Sequence, residues 1–237
     1  MNFLCKYIGG SHLYGLNTEN SDIDYRGVYK NDDLYYTYAH KKAENKVSTG
    51  EVEDSAYYEV RHYFDLLRKT NTQAIEPLFC DTYEEESPKW ELIKQLRDNL
   101  IDVNRLIKSA IGYSISESRL AMGERTGKLG SKRKANLDLY GYSPKNVAQI
   151  IRIVTATECF VFNGHYPLKL RCYDTQAHIE AFNIKNSKVG EYTTENIKSI
   201  IESYIKRVKK LEEVKNPYPS KFDFNVAGLL LKEIYTG

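Results

Sequence analysis

The sequence predicts an α+β fold, in which a small mixed sheet is followed by a mainly α-helical region. Up to residue 86, short apolar runs alternate with turn residues, as they do in small mixed sheets. From Pro88 onward, apolar residues recur at helical spacing over long segments. We therefore predict a core over residues 1–86 and a helical domain over residues 87–237.

Three short runs in the core combine apolar and β-favouring residues and end at turn residues; they are residues 3–8, 23–29 and 34–38. The segment 44–54 is a weaker strand candidate, because it contains few apolar residues. The glycines that follow the first predicted strand indicate a turn there.

A helix is predicted to begin near Ser55. Apolar residues then recur at helical spacing, at Tyr57, Val60, Tyr63, Phe64 and Leu67. Residues 74–79 are expected to add a final strand or helical turn against the core.

Four helical segments are predicted in the second domain. An apolar stripe over residues 90–111 predicts two helices with one break between them. A helix should start at Pro144 and end near Gly164, since proline favours the first helical position and glycine the end. Residues 194–214 and 225–235 give the last two amphipathic patterns.

The composition is that of an ordinary soluble globular protein, with 41% apolar and 28% charged residues. The first residues lack the pattern of a secretory signal, and no apolar run reaches the roughly 20 residues that a membrane span needs. We expect a cytoplasmic protein with no membrane partner. A net charge of +2 excludes a generic polyanion binder, so any nucleic-acid affinity requires a local basic patch.

The four cysteines are scattered along the chain and form no Cys-x-x-Cys pair. This pattern excludes a zinc-binding or disulfide framework and predicts buried, reduced thiols.

Residues that can perform chemistry are concentrated between Gly10 and Asp24. Gly10 and Ser11 offer close backbone approach and a hydroxyl, which suit a phosphate group. Asp22 and Asp24 flank Ile23, and in a strand this spacing projects both carboxylates to one face. Two such carboxylates repel each other unless a hard divalent cation lies between them. The window therefore predicts a site for a nucleoside triphosphate bound with Mg²⁺.

The spacing of Gly10-Ser11, Gly15 and Ser21-Asp22-Ile23-Asp24 resembles the signature of the DNA polymerase beta-like nucleotidyltransferase superfamily. His12 and Tyr14 within this window, and Arg26-Gly27 after it, resemble the RNA-ligase-associated predicted nucleotidyltransferases of bacteria and phages. The segments 58–64, Asn71 and 76–79 extend the resemblance, which covers residues 8 to 80.

The resemblance implies transfer of a nucleotide from a nucleoside triphosphate, ATP above all, to a hydroxyl. It implies two metal ions, Mg²⁺ or Mn²⁺, held by three carboxylates. Asp22 and Asp24 match the first two, and Gly10 and Ser11 match the triphosphate-binding pair. Ser21 and Arg26 are expected to contribute to nucleotide binding.

The third carboxylate is expected at Asp54, with Glu51 and Glu53 as alternatives. Asp54 could instead cap the helix predicted to start at Ser55. Two further residues of the motif have open roles: His12 as a loop or substrate contact, and Arg26 as a partner of a carboxylate or of phosphate.

A basic segment over residues 119–134 contains several glycines and is predicted to be a flexible loop rather than a helix. Its candidate nucleic-acid contacts are Lys128, Lys132, Arg133 and Lys134. A solvated loop without a ligand is an equally good interpretation.

Three functional hypotheses follow. The first is nucleotidyl transfer to an RNA end, with an RNA-repair ligase as a partner. The second keeps this chemistry but uses a protein or small-molecule acceptor. The third is a non-catalytic nucleotide- or RNA-binding module, against which the paired aspartates argue.

Overall fold

The computed structural model describes residues 2–31, 46–49, 53–124 and 131–236. Its strands are β1 (Asn2–Gly9), β2 (Ile23–Lys30), β3 (Lys46–Thr49), β4 (Glu53–Glu59) and β5 (Glu85–Glu86). They form one mixed sheet in the order β3-β4-β2-β1-β5. The pair β2 and β4 is parallel, and the other neighbouring strands are antiparallel.

The α-helices are α1 (Gly10–Tyr14), α2 (Val60–Arg68), α3 (Thr72–Ile75), α4 (Pro88–Gln95), α5 (Val103–Ala121), α6 (Ser131–Tyr140), α7 (Pro144–Asn163), α8 (Thr175–Lys185), α9 (Thr194–Lys210) and α10 (Phe224–Thr236). Short 3-10 turns occur at Glu76–Phe79, Arg97–Asn99, Leu170–Cys172 and Leu211–Glu213. The predicted α+β class, with a small mixed sheet followed by helices, is confirmed.

The chain divides into two compact units. The first contains residues 1–105 and 219–237, and the second contains residues 106–218. The predicted boundary between residues 86 and 87 does not coincide with this division. Helix α4 and the final helix α10 both belong to the unit of the sheet, because α4 contacts β1 and α10 contacts α2 and α4.

The first unit is held together by apolar residues beneath the sheet and by α10. Leu4 of β1, Val60 of α2 and Trp90 of α4 are among its buried residues. Helix α10 buries Ala227, Leu230 and Ile234. Its end is fixed by polar contacts as well: Lys89 donates to the Ile234 carbonyl at 3.1 Å, and the Tyr235 hydroxyl donates to the Glu59 carboxylate.

The second unit is built around α7, whose side chains are buried along nearly its whole length. It begins at Pro144, as predicted, and ends at Asn163, where Gly164 caps the helix with φ 68°. Helix α9 begins with a capping box, in which the Thr193 and Asn196 side chains each bond to the other residue's backbone.

Two predicted elements of the core differ from the structure. Residues 55–59 continue strand β4 instead of starting a helix, and α2 begins at Val60. Tyrosines such as Tyr57 and Tyr58 suit strands as well as helices, and parallel pairing with β2 decides in favour of the strand. The weak candidate over 44–54 contains β3 and the start of β4, while the predicted strand over 34–38 lies outside the described residues.

The basic segment is also different where the structure describes it. The prediction of a loop rather than a helix is wrong at both ends, since Arg119 lies in α5 and Lys132, Arg133 and Lys134 lie in α6. Residues 125–130, with Lys128, lie outside the described residues. Neither α6 nor α8 was predicted from the apolar pattern, because both are weakly amphipathic.

The cysteines are free, as predicted, but they are not all buried. Cys5, Cys80 and Cys159 are buried, whereas Cys172 is exposed. None of the helices formed by the described residues combines the length and the hydrophobicity that crossing a bilayer requires.

Candidate active site

The turn from β1 into α1 places backbone directly against the Asp24 carboxylate. Gly9, the last residue of β1, pairs with Asp24 across the antiparallel β1–β2 ladder. Gly10 follows with φ +60°, and a β-carbon there would lie 1.8 Å from Asp24 Oδ2. Only glycine is compatible with both this φ and this proximity. The Gly10 backbone and the Asp24 carboxylate therefore occupy one small region.

Asp24 and Asp54 lie side by side in the sheet. They are register partners in the parallel β2–β4 ladder, and Glu53 is the partner of Ile23. Register partners share a face of a sheet, and consecutive residues alternate between faces. The register thus favours Asp54 over Glu53 as a companion for Asp24. Glu51 lies outside the described residues.

The alternative role for Asp54, as a helix cap, does not fit the structure. Asp54 is the second residue of a seven-residue strand, so no helix begins beside it. Glu59 caps α2 instead, because its carboxylate accepts a hydrogen bond from the Arg61 amide at 3.0 Å.

Asp22 lies immediately before β2 and is exposed, and Asp24, two residues later, is half-buried. The preceding loop is fixed locally. The Ser21 hydroxyl accepts a hydrogen bond from the Thr18 amide at 2.9 Å, and the His12 ring lies 3.3 Å from the Ser21 carbonyl oxygen through Nε2. Ser21 and His12 therefore have structural contacts that hold the loop before Asp22 beside α1.

Arg26 extends toward the carboxylate as well. Its guanidinium Nη2 lies 3.4 Å from Asp24 Oδ1, and its Nη1 donates to the Tyr25 carbonyl at 3.3 Å. Of the two roles that the sequence left open, partner of a local carboxylate is the one observed. Because the side chain is 30% exposed, a triphosphate could still reach it.

Ser11 is the first residue after Gly10 and is half-buried. Its carbonyl accepts a hydrogen bond from the Leu16 amide at 2.9 Å, which closes the short helix α1.

The predicted nucleic-acid contacts lie in the second unit. Lys134 is exposed on α6, and Lys132 and Arg133 precede it in the same helix. These residues belong to a different unit from the aspartates, and Lys128 lies outside the described residues.

Two buried acidic residues were missed as functional candidates. Glu59 is 3% exposed and Glu76 is 4% exposed. Their partners are distant in sequence: Tyr235 for Glu59 and Tyr14 for Glu76. The signal available in the sequence was the position of both residues in the segments that extend the family resemblance.

The carboxylates can be tested as ligands for a divalent cation. Among the side chains that the structure describes, no group of three or more His, Cys, Asp and Glu is placed to hold a metal ion; the side chain of Asp54 is outside that set. The backbone nevertheless brings Asp24 and Asp54 into register. Asp24 also lies next to Gly10, which has no room for a side chain. Hard oxygen donors on adjacent strands fit Mg²⁺ or Mn²⁺.

Comparisons with known proteins identify the family of the chain. A family model described as the RNA repair pathway DNA polymerase beta family matches residues 2–132, which is more than half of the 237 residues. No curated protein matches the chain. Among solved structures, it is similar to a nucleotidyltransferase-like protein from Exiguobacterium sibiricum 255-15, with 10% identity and a TM-score of 0.30, over 98% of this chain and 73% of that one.

Proposed function

Because the chain belongs to the RNA repair pathway DNA polymerase beta family, we propose that it transfers a nucleotide from a nucleoside triphosphate to a hydroxyl group, with divalent cations held by Asp22, Asp24 and Asp54. The observation that carries the proposal is the parallel register of Asp24 and Asp54 beside Gly10. ATP is the expected triphosphate.

The carboxylates at the amino-terminal ends of β2 and β4 repel one another, and a bound cation relieves this repulsion. Bound Mg²⁺ or Mn²⁺ would supply the positive charge that stabilises the triphosphate and the leaving pyrophosphate. Asp24, with its carboxylate against Gly10, would hold the cations close to the phosphates. Asp22 is exposed and would complete the ligand set from the solvent side.

The backbone at Gly10 and the hydroxyl of Ser11 are the proposed contacts for the triphosphate. The absence of a side chain at Gly10 lets the Asp24 carboxylate lie directly against the backbone of this turn. Arg26, which is within reach of Asp24, would add a positive charge for the phosphate oxygens. The part of Ser21 would be indirect, since its hydroxyl already accepts a bond within the loop.

An RNA end is the proposed acceptor. The family description, which names an RNA repair pathway, supports it, as does the basic segment that ends in Lys132, Arg133 and Lys134. An RNA-repair ligase is the partner expected to seal or prepare such ends. The same chemistry on a protein or small-molecule acceptor is the competing proposal, and a purely binding module is the third.

The test is a label-transfer assay. Each of the four nucleoside triphosphates, labelled at the α-phosphate, is mixed with the protein, Mg²⁺ and a pool of RNA. We expect label from ATP on RNA, its loss on chelation and its return with Mg²⁺ or Mn²⁺. Asp24→Asn should lower the rate by more than about 100-fold, because the amide keeps the size but not the charge of the ligand.

Asp81→Asn is the matched control, since Asp81 is exposed, belongs to the same unit and is not among the proposed ligands. It should leave the rate unchanged. Label on the protein instead of RNA would favour the second acceptor class, and triphosphate binding without any transfer would favour the binding module. Full activity of Asp24→Asn would contradict the proposed site.

A further inference from the structure

Glu76 carries a carboxylate in the interior of the first unit. It begins the turn Glu76–Phe79 and is 4% exposed. A buried carboxylate is unfavourable unless hydrogen bonds compensate for the lost water, so its partners show what it stabilises. The Tyr14 hydroxyl donates to Glu76 Oε1 at 2.9 Å, and Tyr14 is itself buried. This bond lies entirely in a protected environment, where it is strong.

Tyr14 is the last residue of α1, the helix that contains Gly10 and Ser11. A helix of five residues has almost no stability of its own, so contacts with the rest of the unit determine its position. The bonds from Leu16 to Ser11 and from His12 to Ser21 are local. The bond to Glu76 joins α1 to a segment 62 residues later in the chain.

The position of α1 matters because of its distance from Asp24. The Gly10 backbone is so close to the carboxylate that a β-carbon there would lie 1.8 Å from Oδ2. A shift of α1 by about 1 Å would change the space between this backbone and the carboxylate, and misplacement of that size can lower a rate about 100-fold.

The surroundings of Glu76 place it beside β1 as well. Burial raises the pKa of Tyr7 well above its usual value, and the negative charge of Glu76 raises that pKa further. Tyr7 belongs to β1 and is buried. Glu76 therefore lies near the strand that leads into α1 and near the end of α1 at the same time.

We infer that Glu76 is a positioning residue, which holds Gly10 and Ser11 against Asp24 through the hydroxyl of Tyr14. The inference rests on the proposed function, because Gly10 and Ser11 need a fixed position only if they bind the triphosphate for the transfer step. Glu76 would touch neither substrate nor metal, and its effect on the reaction would pass through α1.

The experiment compares Tyr14→Phe, Glu76→Ala and Glu76→Gln with the unchanged protein by two measurements. The first is kcat and KM for ATP, and the second is hydrogen exchange at the Leu16 amide, which reports whether α1 is closed. Tyr14→Phe and Glu76→Ala should each lower kcat/KM by about 10- to 100-fold, mainly through KM, and accelerate exchange at Leu16. Glu76→Gln should retain most of the activity, because its amide oxygen can still accept the Tyr14 bond.

Tyr204→Phe is the matched control. Tyr204 is also buried and donates to a glutamate, with its hydroxyl 2.7 Å from Glu180 Oε2, but it lies in the second unit. It should lower stability by a similar amount without changing KM for ATP or exchange at Leu16. The double variant Tyr14→Phe with Glu76→Ala should be no worse than either single variant, as expected for two ends of one bond.

Unchanged KM and unchanged Leu16 exchange in Tyr14→Phe would overturn the inference, as would equal losses in Glu76→Gln and Glu76→Ala. If the unchanged protein transfers no nucleotide to any acceptor, the proposed function fails, and the exchange measurement alone then decides whether Glu76 holds α1 in place.

Discussion

At the scale of single residues, the candidate site depends on Gly10, because a side chain at this position would not fit. Gly10 combines a positive φ with direct proximity to the Asp24 carboxylate. Two other glycines allow the effect of the positive φ to be measured separately from that of the limited space. Gly190 has a positive φ of +81° but open space around it, and Gly112 is a helical glycine with open space.

We expect Gly10→Ala to reduce nucleotidyl transfer by about 100-fold or more, because the new β-carbon must displace the Asp24 carboxylate. Gly190→Ala should cost about 1–2 kcal/mol of stability through its backbone conformation alone and leave transfer intact. Gly112→Ala should be neutral or slightly stabilising. Urea unfolding and the label-transfer assay measure both effects, and normal transfer by Gly10→Ala would contradict the proposed geometry.

Single residues also show what sequence can predict about a site. Gly10, Ser11, Asp22 and Asp24 lie within 15 positions of one another, so their spacing is visible directly. Glu59 and Glu76 bond to residues 176 and 62 positions away, and their burial depends on how distant segments pack. No local pattern distinguishes such a glutamate from one on a solvated helix face.

At the scale of elements, β4 shows how pairing overrides local preference. Its tyrosines fit a helical pattern, but the strand continues to Glu59 because β2 is available as a parallel partner. The consequence for the site is large, since a helix from Ser55 would have left Asp54 as a cap rather than beside Asp24. Helices with strong apolar stripes or clear end signals, such as α7, were predicted almost to the residue.

The prediction at the scale of elements concerns the deletion of helix α10. A chain ending at Tyr218 would lose the buried Leu230 and Ile234, and we expect the first unit to be destabilised by at least about 3 kcal/mol. Hydrogen exchange across residues 23–30 should become faster, whereas exchange in α7 should change little. A chain ending at Tyr235 keeps the helix contacts and is the control. Unchanged exchange in β2 after the longer deletion would contradict the assignment of α10 to the first unit.

At the scale of the whole molecule, buried ionisable groups determine the response to alkaline pH. Burial raises the pKa of Cys5 well above its usual 9.0, and it raises the pKa values of Tyr7 and Tyr63 well above 10.0. These groups remain neutral in the folded protein and ionise first in the unfolded chain. Their contribution to stability is therefore complete below pH 9 and is lost as the pH rises toward the folded-state values.

We expect the free energy of unfolding to fall above about pH 9, with a slope of about 1.4 kcal/mol per pH unit for each such group. Urea midpoints measured between about pH 8 and pH 11 test this. Cys5→Ala should reduce the slope that begins near pH 9, while Cys172→Ser should not, because Cys172 is exposed. A midpoint that is constant over the whole range would contradict the burial of these groups.

The first unit is assembled from both ends of the described chain, with residues 106–218 between its two parts. During translation, residues 1–105 therefore leave the ribosome well before α10 has been made. The intervening helices can fold as soon as they emerge. The first unit, in contrast, cannot be completed until α10 has been made. We therefore expect nucleotidyl transfer only after α10 has been made, so that chains terminated before α10 would be inactive although they carry every proposed ligand.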